Sequence, residues 1–461
     1  MKKYFIKLLV ACFMFLLGSA FIDLSNLDNY IGQSIPNYIT KNNTPVTNPL
    51  TNAGATLGRV LFYDKKMSLN NNTACSSCHI QQFAFGDTAT LSKGFLGGLT
   101  GRHSMRLSHS RFGTETKFFW DERATSLENQ TTRPIQDFTE MGFSGTGNQP
   151  NFDSLVRKMH TIPYYKTLFQ FVYGDTVINE TRVQQALGQF VRSIFSFDSK
   201  FDAGLAQTGN INANFPNYTT QENQGKALFI NPPNANGAGC QGCHRAPEFD
   251  IDPNTQNNGV VAVANSTTAI DVTNTRAPSL RDVFNPLGNL NGPLMHNGNF
   301  TTMEAVIEHY NLVPIVPGNT NLDPRVAGPG GNLQLTSAEK TSLVAFLKTL
   351  SSNAIYTNTR WSNPFDASGN LDLLTVIKEN FSNKKLEFSM FPNPATEKVN
   401  LKLNSGNYRV KISDGLGKIH MELYITENNS ILVEQLPAGY YYLEVVELDT
   451  QKKQTKQFIK M

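Results

Sequence analysis

"ACSSCHI", residues 74–80, contains the word C-S-S-C-H at 75–79, and a second copy, C-Q-G-C-H, stands at 240–244. Two cysteines and a histidine so spaced serve paired-thiol redox chemistry, half of a zinc site, or covalent haem attachment. The rest of the chain separates the three. It has five cysteines. One, Cys12, sits in an apolar N-terminal run, and the other four, Cys75, Cys78, Cys240 and Cys243, are the cysteines of the two words. A single Cys₄ zinc site would leave the adjacent His79 and His244 unexplained. A thioredoxin-like site wants a βαβ context, which the surrounding sequence lacks. In haem attachment the two thiols add to the porphyrin vinyls and the next histidine ligates iron from the same side. Two intervening residues let one turn of chain present both sulfurs to one ring edge. Two covalent haem c groups are therefore expected, on Cys75, Cys78 and His79 and on Cys240, Cys243 and His244.

The beginning, "MKKYFIKLLVACFMFLLGSAF", has basic Lys2, Lys3 and Lys7, an apolar run and Gly18-Ser19-Ala20, the pattern of a cleaved secretory signal over 1–20. The run is short for a bilayer span, so the mature form is expected to carry no integral membrane span. Leu9-Val10-Ala11-Cys12 resembles a lipoprotein box, but apolar "FMFLLG" follows where a polar tether belongs. A net charge of +3, without a concentrated Lys/Arg stripe, gives no support for nucleic-acid binding. With 17% charged residues, 34 Gly and 22 Pro, the chain suits a loop-rich extracytoplasmic protein.

A polar, Pro-punctuated leading segment at 21–52 is followed by loops alternating with short helix candidates. In "RVQQALGQFVRSIF", Val183, Ala186, Leu187, Phe190, Val191 and Ile194 recur at helical spacing. Thr336 and Glu339 form a capping-box pattern ahead of Leu343, Phe346, Leu347 and Leu350. "TTMEAVIEHY", 301–310, is a third helix candidate. After about 385 strand alternation takes over, at Val399, Leu401 and Leu403 and at Tyr408, Val410 and Ile412, with "ILVEQLPAGYYYLEVVEL" supplying more. The expected fold is mainly α: an N-terminal haem domain at 53–215, a C-terminal haem domain at 216–366, a linker at 367–385 and a small all-β sandwich at 386–461.

Several blocks between roughly 53 and 366 resemble the bacterial di-haem cytochrome c peroxidases and the related MauG-type enzymes. The most specific is "FFWDERATSLENQTTRPIQDFTEMG", 118–142; "FVRSIFSFDSKFD", "TRAPSLRDV", "GPLMHNGNFTTMEAVIEHYN" and "LVAFLKTLSS" follow in the family's order. The resemblance implies a peroxidatic N-terminal haem and a C-terminal haem that passes electrons. It matches Glu140 and Gln130 to the distal-pocket acid and amide, Trp120 to the aromatic between the haems, and His296 to a haem-environment histidine. Trp120, Gln130 and Glu140 are spaced ten and ten. A carboxylate in a partly dry pocket can take the proton from bound peroxide and deliver it to the leaving oxygen.

Two positions depart from that pattern. Where activation-dependent members have a capping histidine, this chain has Phe95, which cannot ligate iron. His103 stands where the family often has an asparagine that helps bind calcium, while the carbonyls of Asn291 and Pro293 match the remaining calcium contacts. On the far side of the second haem the candidate ligands are Met295, His296, Met303, His309 and Tyr310. Bare chemistry favours His or Met, and Met303 and Tyr310, seven apart, share one helix face, so periodicity does not choose. The family register, counted from His296, selects Tyr310, as in MauG-type enzymes.

The tail, with Phe391-Pro392-Asn393-Pro394 and Leu436-Pro437-Ala438-Gly439-Tyr440, resembles the type A sorting domain of type IX secretion substrates. The alternative is a small carbohydrate- or partner-binding module. The resemblances imply a secreted or cell-surface peroxidase that reaches its place through a Gram-negative periplasm and the type IX machinery. It would reduce hydrogen peroxide with electrons from a cytochrome, cupredoxin or other donor. A first alternative is MauG-like oxidation of a protein or small molecule through paired high-valent haems, which Tyr310 favours. A second is a non-enzymatic electron carrier.

Overall fold

The computed structural model describes residues 24, 27–251, 255–273, 276–327, 331–371, 373, 386, 388–414, 418–448 and 453–461. The expected signal at 1–20 and most of the expected linker at 367–385 lie outside the described residues. The chain divides into two compact units, Met1–Asp372 and Leu373–Met461.

Among the described residues the α-helices of the first unit are α1 (Asn52–Tyr63), α2 (Leu127–Thr131), α3 (Phe152–His160), α4 (Pro163–Tyr173), α5 (Glu180–Ser193), α6 (Lys200–Thr208), α7 (Thr220–Ile230), α8 (Met303–Asn311), α9 (Ser337–Lys348) and α10 (Ala354–Thr357). The three expected helices are α5, α8 and α9, and the box at Thr336 and Glu339 caps α9. Strands before residue 385 are, among the described residues, one two-residue hairpin, β1 (His244–Arg245) with β2 (Asp250–Ile251).

Two helix pairs are built alike. Leu57-Gly58-Arg59-Val60-Leu61-Phe62 on α1 and Gln224-Gly225-Lys226-Ala227-Leu228-Phe229 on α7 repeat one pattern, and each precedes a C-x-x-C-H word. Gly58 lies against the Ala186 carbonyl and Phe190 of α5, and Gly225 lies the same way against the Ser342 carbonyl and Phe346 of α9. The aromatic that follows each glycine by four packs on the partner, with Phe62–Phe190 centroids 5.1 Å and Phe229–Phe346 centroids 5.3 Å apart. A missing Cβ lets the backbones meet, and one helical turn later a ring fills the groove.

The leading segment is packed into this unit. Tyr30 is fully buried with its hydroxyl donating to the Arg360 carbonyl at 2.8 Å, Asp28 pairs with Arg59, and Asn48 bonds Glu128 and Gln189. Among the described residues no helix is long and apolar enough to cross a membrane.

The second unit holds two antiparallel sheets, β3 (Ser389–Phe391), β4 (Lys398–Lys402) and β7 (Asn429–Leu432) in order β3-β4-β7, and β5 (Tyr408–Asp414), β6 (Ile419–Ile425), β8 (Gly439–Glu447) and β9 (Lys453–Lys460) in order β6-β5-β8-β9. The register sets Val410 opposite Val445 and Ile412 opposite Leu443. These four join Val399, Leu401 and Ile431 of the smaller sheet in one buried cluster. Alternation puts every second residue on one face, so one such cluster serves both sheets.

Candidate functional site

Each C-x-x-C-H word folds as a single tight turn. In the first, over Cys75–Ser77, the Cys75 carbonyl accepts from the Cys78 and His79 amides at 3.2 and 3.0 Å. In the second, over Cys240–Gly242, Gly239 opens the turn at φ +66° and the Cys240 carbonyl accepts from Cys243 N at 3.2 Å. Both histidines use Nδ1 on a carbonyl, His79 with Phe85 O at 3.1 Å and His244 with Pro278 O at 2.9 Å. Such a bond holds the proton on Nδ1 and leaves the Nε2 lone pair for a metal. Burial favours the neutral rings, lowering the pKa of His79 and pulling that of His244 to about 4.

Cys75, Cys78, Cys240 and Cys243 are not joined in disulfides. Burial pushes Cys75 and Cys240 up to about 12 and Cys78 up to about 11. A dithiol redox motif needs the opposite shift. The two words line different cavities, and no group of three or more His, Cys, Asp or Glu able to hold a metal ion occurs among the described residues. A shared Cys₄ zinc site is thereby set aside.

The first cavity, about 460 Å³, is walled by His79, His103, Arg106, Trp120, Gln130 and Glu140. A recess of about 70 Å³ shares His79, Gln130 and Glu140 and adds Cys75 and Cys78. The second cavity, about 620 Å³, is walled by Cys240, Cys243, His244, Met295, His296 and Tyr310. Both larger volumes fall within the ~300–1,000 Å³ of cofactor sites. The recess beside the first cavity and the second cavity each join a cysteine pair to a histidine that keeps Nδ1 on a backbone carbonyl, so the residues fit haem c.

Glu140 and Gln130 come from unlike elements. Gln130 rides on α2, whose start Ser126 caps by accepting from Asn129 N, while Glu140 sits in a turn where Asp137 Oδ1 accepts from the Thr139 and Glu140 amides at 2.7 and 3.0 Å. Glu140 keeps some surface open to the cavity, yet crowding and nearby Asp137 raise its carboxyl to about 7 against the pull of Arg123. Trp120 lines both large cavities and donates from Nε1 to the His103 carbonyl at 2.8 Å. Its ring meets that of His296 edge-on at 6.2 Å, and both His296 nitrogens are buried without a hydrogen-bond partner among the described residues.

Phe95 is buried behind Gly142 and is not among the residues walling the first cavity. His103 Nδ1 is engaged by the Ala89 and Thr90 carbonyls at 3.0 and 3.2 Å.

Of the five candidates on the far side of the second cavity, His309 is turned away, with Nε2 on the Asn258 carbonyl at 2.8 Å. Met303 lines the cavity from within the hydrophobic core and is 4% exposed. Tyr310 presents its hydroxyl, which accepts from Asn258 Nδ2 at 2.9 Å, and the same amide reaches Met295 Sδ at 3.5 Å. Burial raises the Tyr310 phenol well above its ordinary range. Asn258 was not legible beforehand, because it lies in a loop 52 residues away with no motif. Pro293 walls the second cavity, and Asn291 donates from Nδ2 to the Asp282 carbonyl at 2.7 Å and to the Tyr356 hydroxyl at 2.8 Å.

Residues 52–210 match the family described as di-haem cytochrome c peroxidase, and residues 389–461 match the secretion system C-terminal sorting domain. The methylamine utilization protein MauG of Methylophilus methylotrophus is 30% identical over 317 residues, 68% of this chain and 86% of that protein. This chain belongs to the di-haem cytochrome c peroxidase and MauG family. The cytochrome c551 peroxidase of Nitrosomonas europaea is 26% identical over 64% of this chain and 79% of its own length. A MauG-like protein associated with microbial copper homeostasis superposes with a TM-score of 0.56 at 27% identity, covering 72% of this chain and 98% of that one. The diheme peroxidase BthA of Burkholderia thailandensis shares the fold with a TM-score of 0.50 at 21% identity, over 68% of this chain and 91% of that one. The chain is thus a peroxide-dependent oxidoreductase with haem c cofactors. Its tail is a sorting domain for type IX secretion.

Proposed function

We propose that the protein is a secreted di-haem peroxidase that reduces hydrogen peroxide in the first cavity with electrons entering through the second. The observation that carries the reading is Glu140 and Gln130 on the walls of both the first cavity and the adjoining recess that holds Cys75, Cys78 and His79. When bound, haem supplies a Lewis-acidic iron and stored electrons, and each peroxide consumes two electrons and two protons to give two waters. Glu140 takes the proton from the near oxygen and returns it to the leaving oxygen, work suited to a carboxyl near neutrality. Gln130 orients the peroxide with an amide that does not titrate. Trp120, walling both cavities, relays electrons between them.

Tyr310 supports a second reading, in which peroxide is spent on oxidising another protein or a small molecule. A phenol oxygen is a hard donor that favours ferric iron, whereas a thioether favours ferrous iron and a higher potential. Calcium at the Asn291 and Pro293 carbonyls remains part of the proposal, with His103 in place of the family asparagine.

Glu140→Gln tests the peroxide step. Single-turnover mixing of the oxidised holoprotein with peroxide should show a rate lowered by roughly 10²–10⁴-fold with both haems retained. A rate near that of wild type would remove Glu140 from the mechanism. A donor assay with a small cytochrome or cupredoxin beside an oxidisable protein separates the two readings.

A further inference from the structure

We propose that Arg106 is a cationic anchor shared by the propionates of both haems. Arg106 lines both large cavities. Its Nη2 donates to the Ser279 carbonyl at 3.0 Å, and its Nε is buried with no hydrogen-bond partner among the described residues. Arg106 is half-buried, whereas three arginines of this unit that are buried outright have carboxylates: Arg59 has Asp28, Arg192 has Glu128 and Arg281 has Asp202. Arg276 also walls both cavities, and the Glu115 and Glu122 carboxylates act on its charge. Tyr356 and the Asp282 carboxylate act on the Arg106 charge, and Asp282 is held elsewhere, with Oδ1 accepting from the Ser352 amide and hydroxyl at 2.8 and 2.6 Å and Oδ2 facing His109 Nε2 at 3.3 Å.

A guanidinium stays charged in proteins, and enclosing it without a counter-ion is costly. Each haem brings two propionate carboxylates, the anions that a planar guanidinium fork binds best. The supports of Arg106 place it at both attachment sites. Its stem lies against Gly86, beside Phe85, whose carbonyl holds His79. Its head is fixed by Ser279, beside Pro278, whose carbonyl holds His244. One cation between two haems raises the potentials of both, because each reduction adds an electron near a positive charge.

The proposal rests on the di-haem reading, so a pyridine haemochrome titration of wild type comes first, and two haems per chain are required. Spectroelectrochemical titration of the Arg106→Gln holoprotein should then give lower midpoint potentials for both haems at unchanged haem content. Arg106→Lys keeps the charge and loses the fork, so it should hold both potentials near wild type while shifting the propionate-bending bands of both haems in resonance Raman spectra. Unchanged potentials in Arg106→Gln, or a shift confined to one haem, would overturn the proposal. If Arg106→Gln gives no folded holoprotein, the Arg106→Lys spectrum decides, and bands identical to wild type at either haem count against a shared anchor.

Discussion

A single carboxyl sets the expected pH behaviour. Glu140 is raised to about 7 chiefly by desolvation, so below that pH it is increasingly protonated and cannot accept the first proton of peroxide. The peroxide-step rate should therefore climb as pH rises through about 7 and level off above it, and Glu140→Gln should remove the inflection as well as the rate. An inflection that survives in the variant would assign the titration to another group. Tyr310 makes the second residue-scale case. Tyr310→Met should raise the potential of the second haem and introduce the near-infrared charge-transfer band of a methionine ligand. A wild-type spectrum that already shows that band would make Tyr310 a packing aromatic. The sequence alone could not choose between Met303 and Tyr310, since a seven-residue spacing puts both on one helix face. The packing differs: Met303 is absorbed by the core, while the Tyr310 hydroxyl faces Asn258. Phe95 cannot ligate iron and is buried behind Gly142, so the first haem is expected to react without prior reduction. A high-spin first haem in the oxidised protein is the corresponding signature.

Elements built from local signals were the most legible. Thr336 and Glu339 announce α9 because two side chains satisfy backbone amides that the first turn leaves unpaired. Thr219 and Glu222 cap α7 in the same way, in a stretch too polar for its periodicity to stand out. The strands β3, β6 and β9 were not delimited from sequence. β3 is three residues long, and "KQTKQFIK" of β9 is mostly polar, so its burial depends on the partner β8. The glycine contacts of the helix pairs were also hidden, because an isolated helical glycine looks merely unfavourable. Gly225→Ala should gain about 1 kcal/mol of intrinsic helix preference, yet its methyl group overlaps the Ser342 backbone carbonyl, which cannot rotate away. Overpacking of this kind costs about 1–3 kcal/mol or more, so net destabilisation is expected. Gly188→Ala on α5 is the control, since its Cβ would meet the Glu128 and Arg192 side chains at 3.2 and 3.3 Å, and these can give way. Thermal unfolding of the two holoproteins should lower Tm for Gly225→Ala and change it little for Gly188→Ala. Equal effects would show that the close helix contact carries no special constraint.

At the scale of the whole molecule, the sequence pattern changes near residue 385, and the two compact units divide after Asp372. Helical spacing of 3.6 and strand alternation of 2 cannot serve one segment, so such a change is readable without any family likeness. The core clusters of the first unit and the cluster of the second, which includes Tyr408, Tyr441 and Phe458 beside its Val, Leu and Ile, are made from separate residues. Cysteine usage points the same way, because both attachment words precede the boundary. The sorting tail should therefore contribute to delivery and not to chemistry. A chain ending at Asp372, produced in a host that has both c-type haem maturation and the type IX machinery, should carry two haems and consume peroxide at the full-length rate, yet accumulate inside the outer membrane. The full chain should reach the surface or the medium. The measurement is haem-stained protein and peroxidase activity in fractionated cells and medium, with a tail-only fusion to an inert reporter as the reciprocal arm. Export of the truncated chain, or failure of the reporter fusion to leave the cell, would make 389–461 a carbohydrate- or partner-binding module instead. A truncated chain that is retained but inactive despite two haems would show that catalysis depends on the second unit, against the independence implied by the two separate cores.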